Sequence, residues 1–290
     1  MVSVRSPSGP TLAAWESGPP EGRPVILLHG LTMTARQAFS KTAVLERAGF
    51  RVVSFDARGN GHSEPAADPW QYGYDVLTED LGAVMDAFGI ERAVLAGISM
   101  GGHTALRLAL EQPHRSAALA LVSPAFDPED HPNEENVAEA DALAAGVRER
   151  GVDGFMAALR TRAGSSRESA GVRAAHSLVR RRLREHHDLT AVGDAVRANL
   201  RARPFDDFGA LSAIEGPVLV VGTRDELDPR HPYELARSYV RAIPGSRFEC
   251  EGPGAVPLGW GGRRLILLVR ELAGRAEWGA ENSAVGRRRA

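Results

Sequence analysis

The chain has 290 residues, of which 43% are hydrophobic, and a formal net charge of −2 at pH 7. This length allows a large core, as one domain with an insertion, and the charge gives no electrostatic basis for binding nucleic acid or an anionic membrane. The single cysteine, Cys250, excludes an internal disulfide and fits a reducing compartment. Residues 1–22 contain no apolar stretch typical of a signal peptide or membrane span, so we expect a cytoplasmic location.

Short apolar runs alternate with longer stretches of helical spacing along most of the chain. The predicted strands are 25–28, 52–55, 93–96, 117–122, 218–221 and, more weakly, 247–250, with 2–4 and 11–15 as an antiparallel edge. The predicted helices between them are 34–48, 74–88, 101–111, 232–242 and 262–272. Short strands that are apolar on both faces indicate a parallel sheet covered by helices on each side. The alternation predicts a doubly wound α/β domain.

One interval, residues 128–204, interrupts this alternation and contains no strand-like run. Its helical patterns are 134–150, 154–161, 171–185 and 189–200, and prolines stand at both of its ends. A structureless loop of this length is uncommon in a domain, so we predict a helical cap inserted into the core. The predicted core is therefore 1–127 and 205–275, and the tail from 276 to 290 is expected to be disordered.

The segment Gly97-Ile98-Ser99-Met100-Gly101 lies where an apolar strand gives way to a helix. Two glycines allow a turn too tight for larger residues, which exposes the serine hydroxyl at the edge of the sheet. The backbone N–H of Met100 then lies at the positive end of the helix, where it could bind a developing oxyanion. This context predicts Ser99 as a nucleophile.

A second candidate oxyanion donor follows the strand 25–28, where His29-Gly30-Leu31 ends the run. The glycine lets the backbone turn sharply, which leaves the N–H of Leu31 available beside that of Met100. The alternative is a strand-ending turn with a buried histidine. The segment 56–63, DARGNGHS, follows the next strand and needs only a structural role, as a turn fixed by Asp56 and Arg58.

Four motifs occur in the order that is typical of one known superfamily. They are Leu28-His29-Gly30, Asp56-Ala57-Arg58-Gly59-x-Gly61-x-Ser63, Gly97-Ile98-Ser99-Met100-Gly101-Gly102 and Gly222-Thr223-Arg224-Asp225. Together they resemble the α/β-hydrolase superfamily. The resemblance implies a mostly parallel eight-stranded sheet, a lid inserted after the sixth strand, and a Ser–Asp–His triad in that chain order. It makes Ser99 the nucleophile and Asp225 the acid, with Asp228 a close rival and Asp127 a distant one.

The triad histidine is where this sequence departs from the superfamily. The family places it after the last strand in a Gly-x-Gly-His-x-Pro context, and the matching segment here reads Gly252-Pro253-Gly254-Ala255-Val256-Pro257. Alanine cannot take the proton that activates a serine hydroxyl. Ala255 therefore occupies the position expected to hold the triad histidine.

Among the nine histidines, His231 is the remaining candidate base. It follows Asp225 by six residues, a span of roughly 20 Å at most, and the elbow strand lies about 10 Å away in strand spacing. Its alternative role is to cap the helix that follows. Three explanations for Ala255 stay open: an inactivating substitution, replacement by His231 as base, or a binding or non-hydrolytic function such as cyclisation.

The sequence favours hydrolysis of an ester or related acyl bond of a small, largely apolar molecule. The alternative is a binding or non-hydrolytic (cyclase-type or lyase-type) protein of the same fold with an incomplete triad. Side chains proposed for the pocket wall, with ordinary packing as their alternative, are Trp70, Tyr72, Tyr74, Phe155, Met156 and Leu159. No Cys/His cluster or phosphate-binding glycine loop appears, so no metal or organic cofactor is expected, and the oligomeric state is left open.

Overall fold

The computed structural model describes residues 1–162, 170–224, 230–252, 255–276 and 278. Its strands form one eight-stranded sheet. In chain order they are β1 (Val2–Arg5), β2 (Thr11–Ser17), β3 (Arg23–Leu28), β4 (Phe50–Phe55), β5 (Ala93–Ile98), β6 (Ser116–Val122), β7 (Val218–Val221) and β8 (Arg247–Glu249). All six runs predicted as parallel strands, and both predicted edge strands, are therefore present.

The sheet has the spatial order β1-β2-β4-β3-β5-β6-β7-β8. β2 pairs antiparallel with both β1 and β4, and every pairing from β4 to β8 is parallel. The loops that leave β3, β5 and β7 therefore emerge from the same edge of the sheet, and a polar site assembled from several loops forms at such an edge.

Helices cover both faces of the sheet, as a mostly parallel sheet requires. They are α1 (Ala35–Ala38), α2 (Ala43–Arg47), α3 (Tyr74–Ala87), α4 (Met100–Glu111), α5 (Glu134–Arg162), α6 (Ala170–Leu183), α7 (Leu189–Asn199), α8 (Tyr233–Ala242) and α9 (Arg263–Arg275). One apolar cluster joins the sheet to α3, α4 and α8, and a second joins its other face to α2 and α9. Strand β5 is buried along its whole length because it contributes to both clusters, Leu95 to the first and Val94 to the second.

The predicted helix 34–48 is wrong as a continuous element. The structure has two short helices there, α1 and α2, and Lys41 between them has a φ of 67°. A residue in the left-handed region cannot continue a right-handed helix, which explains the break. Apolar spacing alone does not reveal such an interruption.

Between β6 and β7 the described residues form α5, α6, α7 and a short 3-10 turn, Phe208–Ala213. We refer to α5, α6 and α7 as the helical insertion. Non-helical angles at Arg150 and Gly151 divide α5, and the two halves approach so closely that a Cβ at Gly146 would lie 2.5 Å from the carbonyl oxygen of Gly154. The insertion has its own apolar cluster, against which Leu31 of the core packs. The boundaries 128 and 204 stay a prediction.

The predicted disordered tail, apart from residues 276 and 278, lies outside the described residues. Among the helices of the described part, none combines the length and the apolar character needed to cross a bilayer.

Candidate active site

Ser99 lies between β5 and α4 with a φ of 48° and a ψ of −114°, outside the ordinary regions for a residue with a side chain. The surrounding glycines make this turn sterically allowed. A Cβ at Gly97 would lie 2.2 Å from the carbonyl carbon of Gly101, and one at Gly101 would lie 2.6 Å from the carbonyl oxygen of Leu28. The serine side chain is half-buried, and the turn projects it from the end of the strand.

His231 is the side chain that the structure brings to the serine. Its Nε2 atom lies 3.0 Å from Ser99 Oγ, within hydrogen-bond distance. The ring precedes α8, and Pro232 at the N-cap of that helix has extended backbone angles. A half-buried imidazole with this contact can accept the hydroxyl proton of the serine.

Leu31 and Met100, the two predicted oxyanion donors, share one apolar cluster near the elbow. Leu31 packs against the cluster that contains Met100, and a Cβ at Gly30 would lie only 3.1 Å from the carbonyl oxygen of Ile98. Met100 is the first residue of α4, and an N–H in the first turn of a helix has no intrahelical acceptor. The helix dipole adds positive potential at the same place.

His29 and Asp56 fix the loops around this corner. The Nδ1–H of His29 donates to the carbonyl of Gly30 at 2.8 Å, and its Nε2 accepts the N–H of Ala57 at 2.8 Å. Burial lowers the pKa of His29, which keeps the ring neutral as this pattern of bonds requires. Asp56 accepts backbone N–H groups of Ala35 and His62.

His103 lies one helical turn after Ser99 and is the centre of a buried polar network. Its Nδ1 lies 3.1 Å from the hydroxyl of Tyr74, and its Nε2 lies 3.2 Å from that of Tyr239. The Tyr74 hydroxyl donates to Asn199 of α7, so the network reaches the helical insertion. Burial and, secondly, the charge of His231 lower the pKa of His103 to about 3. His231 therefore has a neutral neighbour when it takes up a proton.

The comparisons with known proteins identify the family of the chain. The model of the alpha/beta hydrolase fold family matches residues 23–254. The chain belongs to that family.

Curated relatives match over shorter segments. The AB hydrolase superfamily protein YisY of Bacillus subtilis is 40% identical over 87 residues, which are 30% of this chain and 31% of that protein. The 2-hydroxy-6-oxononadienedioate/2-hydroxy-6-oxononatrienedioate hydrolase of Comamonas testosteroni is 38% identical over 107 residues, 36% and 37% of the two chains. The aligned segments thus span about a third of these relatives.

Solved structures share the fold over most of the chain. An esterase from Exiguobacterium antarcticum superposes with a TM-score of 0.68 at 21% identity, covering 86% of this chain and 89% of that one. At this identity the similarity supports the α/β-hydrolase fold, in agreement with the family match.

The third member of a hydrolase triad would be a carboxylate. Asp225 and Asp228 lie outside the described residues, and Asp127 accepts the backbone N–H of Glu129.

A buried carboxylate, Glu251, connects the loop after β7 to the end of the loop after β8. It accepts the hydroxyl of Thr223 at 3.0 Å and the N–H of Leu258 at 3.4 Å.

Ala255, in the loop after β8, is exposed to solvent, and its N–H donates to the carbonyl of Gly252 at 3.1 Å. The predicted pocket residues lie in different surroundings. Phe155 and Met156 are buried in the apolar cluster of the insertion, and Tyr72 is buried with its hydroxyl accepting the N–H of Ala66. Trp70 is 53% exposed, with the guanidinium of Arg197 above its ring.

Sequence reasoning missed two residues near the site, Glu251 and His186. His186, before α7, bonds to the core on both sides of its ring, although its His-His context is typical of a solvated segment. No local pattern connects it to partners more than 120 residues away.

In the described part of the chain, no group of three or more His, Cys, Asp or Glu side chains could hold a metal ion.

Proposed function

We propose that this α/β hydrolase cleaves an ester or related acyl bond with Ser99 as its nucleophile and His231 as its base. The observation that carries the proposal is the 3.0 Å contact between His231 Nε2 and Ser99 Oγ. The contact places an imidazole, which can take a hydroxyl proton, against the serine of the elbow, and serine catalysis needs such a pair.

In the proposed reaction, Ser99 Oγ attacks the carbonyl carbon of the substrate while His231 Nε2 takes the hydroxyl proton. The N–H groups of Leu31 and Met100 donate to the resulting oxyanion. The protonated His231 then gives its proton to the leaving alkoxide, which leaves an acyl-enzyme and an alcohol. A water molecule, deprotonated by the same ring, releases the acid and regenerates Ser99. Asp225 or Asp228 is proposed to orient His231.

We propose a small, largely apolar substrate because apolar side chains surround the corner. Leu31 contacts both the cluster of the helical insertion and the cluster that contains Met100. A desolvated corner strengthens hydrogen bonds to an oxyanion, since the surrounding dielectric constant is low.

Hydrolysis of short-chain p-nitrophenyl esters tests the proposal, with Ser99→Ala as the decisive variant. The matched control is Ser123→Ala, because Ser123 also follows a strand with a positive φ, 51°, and is buried. Turnover that falls by three or more orders of magnitude in Ser99→Ala but not in Ser123→Ala supports the proposal. Equal turnover in both variants refutes it.

A binding or non-hydrolytic function is the second candidate, and the observation in its favour is Ala255, where the family pattern has histidine. A fluorophosphonate probe separates the two functions. Stoichiometric labelling at Ser99 indicates an activated serine. A folded protein that is not labelled, and that gains no turnover in Ala255→His, favours the second candidate.

A further inference from the structure

The segment from Gly30 to Met33 forms a tight turn that carries the proposed oxyanion donor. The Met33 N–H donates to the Gly30 carbonyl at 3.1 Å and closes the turn around Leu31 and Thr32. Thr32 has a φ of 62°, a left-handed conformation that a β-branched residue rarely adopts. Such a turn keeps its shape only if its surroundings hold it.

His186, from the helical insertion, holds this turn at Thr32. The Nε2–H of His186 donates to the Thr32 carbonyl at 3.1 Å, while Nδ1 accepts the N–H of Gly61 at 2.9 Å. The next residue, His187, donates its backbone N–H to the Gly61 carbonyl at 3.2 Å, so the backbone beside the ring is also bonded to the core. The side chain is buried, with 8% of its residue surface exposed.

The two hydrogen bonds of His186 require one tautomer of the neutral ring, the one with the proton on Nε2. Burial lowers the pKa of His186, so the ring stays neutral and Nδ1 stays free to accept. At the other end of the turn, His29 has the opposite tautomer and donates from Nδ1 to the Gly30 carbonyl. Two neutral histidines therefore fix the first and third residues of the turn, one from the core and one from the insertion.

We infer that His186 is a positioning residue: its bond to Thr32 aligns the Leu31 N–H, so that oxyanion stabilisation depends on how the helical insertion docks on the core. The inference rests on the proposed function, since it assigns that N–H to the oxyanion. Misalignment of one donor weakens binding of the transition state more than binding of the substrate. The effect of losing the bond therefore falls on kcat.

Two amide substitutions separate the two bonds of the ring. A glutamine at 186 can present its Nε2–H to the Thr32 carbonyl, and an asparagine can present its Oδ1 to the Gly61 N–H. We expect His186→Asn to lower kcat about tenfold or more with KM within about twofold, and His186→Gln to stay within about threefold of wild type. A purely structural role predicts equal losses in the two variants.

Gln37→Ala is the control for docking, because Gln37 Nε2 donates to the Arg182 carbonyl at 3.4 Å, while its Oε1 accepts the N–H of Thr34, which lies just after the turn. Its kcat should match wild type, and thermal unfolding of all three variants checks that they are folded in the assay. Equal kcat in His186→Asn and His186→Gln overturns the inference. So does a joint failure of both variants to fold, since the role is then in folding.

Amide exchange at Met33 distinguishes failure of this inference from failure of the proposed function. If wild type and Ser99→Ala prove equally inactive, the proposed function fails. The rate of hydrogen exchange at the Met33 amide, which closes the turn, still reports on the shape of the turn. Faster exchange of the Met33 amide in His186→Asn than in His186→Gln and Gln37→Ala supports the positioning role. Equal exchange in the three variants refutes it.

Discussion

His231 Nε2 lies 3.0 Å from Ser99 Oγ, although 132 residues separate the two in the chain. The topology accounts for the contact. Ser99 follows β5 and His231 lies beyond β7, with only β6 between these strands in a parallel array. Both residues therefore emerge at one edge of the sheet, within about 10 Å in strand spacing. A side chain from the segment before α8 spans the remaining gap.

The elbow glycines are tested by Gly97→Ala. The added methyl group would meet the backbone of Gly101 at 2.2 Å, so we expect a loss of about 3 kcal/mol or more in the free energy of unfolding. Gly82→Ala is the matched control, since a Cβ there has no atom within 4 Å and the residue lies inside α3. That substitution should stabilise the protein by about 0.5–1 kcal/mol. Urea unfolding measures both, and similar values for the two variants would contradict the account.

Backbone strain at Ser99 predicts a difference between two inactive variants. Alanine keeps the unfavourable φ of 48°, whereas glycine adopts it freely. Ser99→Gly should therefore be more stable than Ser99→Ala by about 1 kcal/mol, after the larger entropy of the unfolded glycine chain is subtracted. Thermal unfolding of the pair checks this, and a less stable glycine variant would show that the turn is not strained.

The buried pair Arg58–Asp80 holds the turn at 56–63 against α3. Arg58 donates from Nε and Nη2 to the two carboxylate oxygens of Asp80, both at 2.7 Å, and neither side chain is exposed. Arg58→Met leaves a buried carboxylate without its partner, so we expect a loss of about 3–5 kcal/mol. The control Glu111→Gln, which weakens the exposed pair with Arg107, should cost about 0.5 kcal/mol. Comparable losses would contradict the assignment.

Stability should fall in acid because His103 stays neutral in the folded protein. Its pKa is lowered to about 3, whereas the unfolded chain takes up the proton near 6.5. The unfolded state thus binds more protons below pH 6.5, and the free energy of unfolding decreases by about 1.4 kcal/mol per pH unit for this group down to about pH 3. His29 and His186, whose pKa values are also lowered, act in the same direction.

Urea titrations between pH 4 and 7 measure this slope, with His103→Asn as the test variant. The variant lacks one titrating group, so its stability should change less with pH by about 1.4 kcal/mol per unit. An unchanged slope would mean that His103 is not held neutral by the fold.

Local patterns in the sequence were sufficient to predict the sheet and the elbow. Strand β5 is apolar on both faces, and the glycines on either side of Ser99 leave the space that its tight turn needs. The break between α1 and α2 could not be predicted, because the left-handed angle of Lys41 depends on tertiary packing rather than on its own preferences.

Long-range contacts explain what the sequence left open in the site. From the sequence, the use of His231 as the base was one of three explanations for Ala255. Whether its ring reaches Ser99 depends on the path of the loop after β7, which local patterns do not give. His186 gave no signal at all, because its two partners, at Thr32 and Gly61, lie 154 and 125 residues away. Both partners are backbone groups, which almost every residue type has, so the residue types at 32 and 61 do not indicate that they bind a histidine.

The central claim is that His231 activates Ser99, and the second-order rate of fluorophosphonate labelling at Ser99 tests it most directly. We compare wild type with His231→Gln and with the control His131→Gln, a half-buried histidine whose Nε2 bonds to the Arg201 carbonyl. We predict that the labelling rate falls about 10³-fold or more in His231→Gln and stays unchanged in the control. The double variant His231→Gln with Ala255→His should label as slowly as His231→Gln alone. Labelling of His231→Gln at the wild-type rate would contradict the central claim.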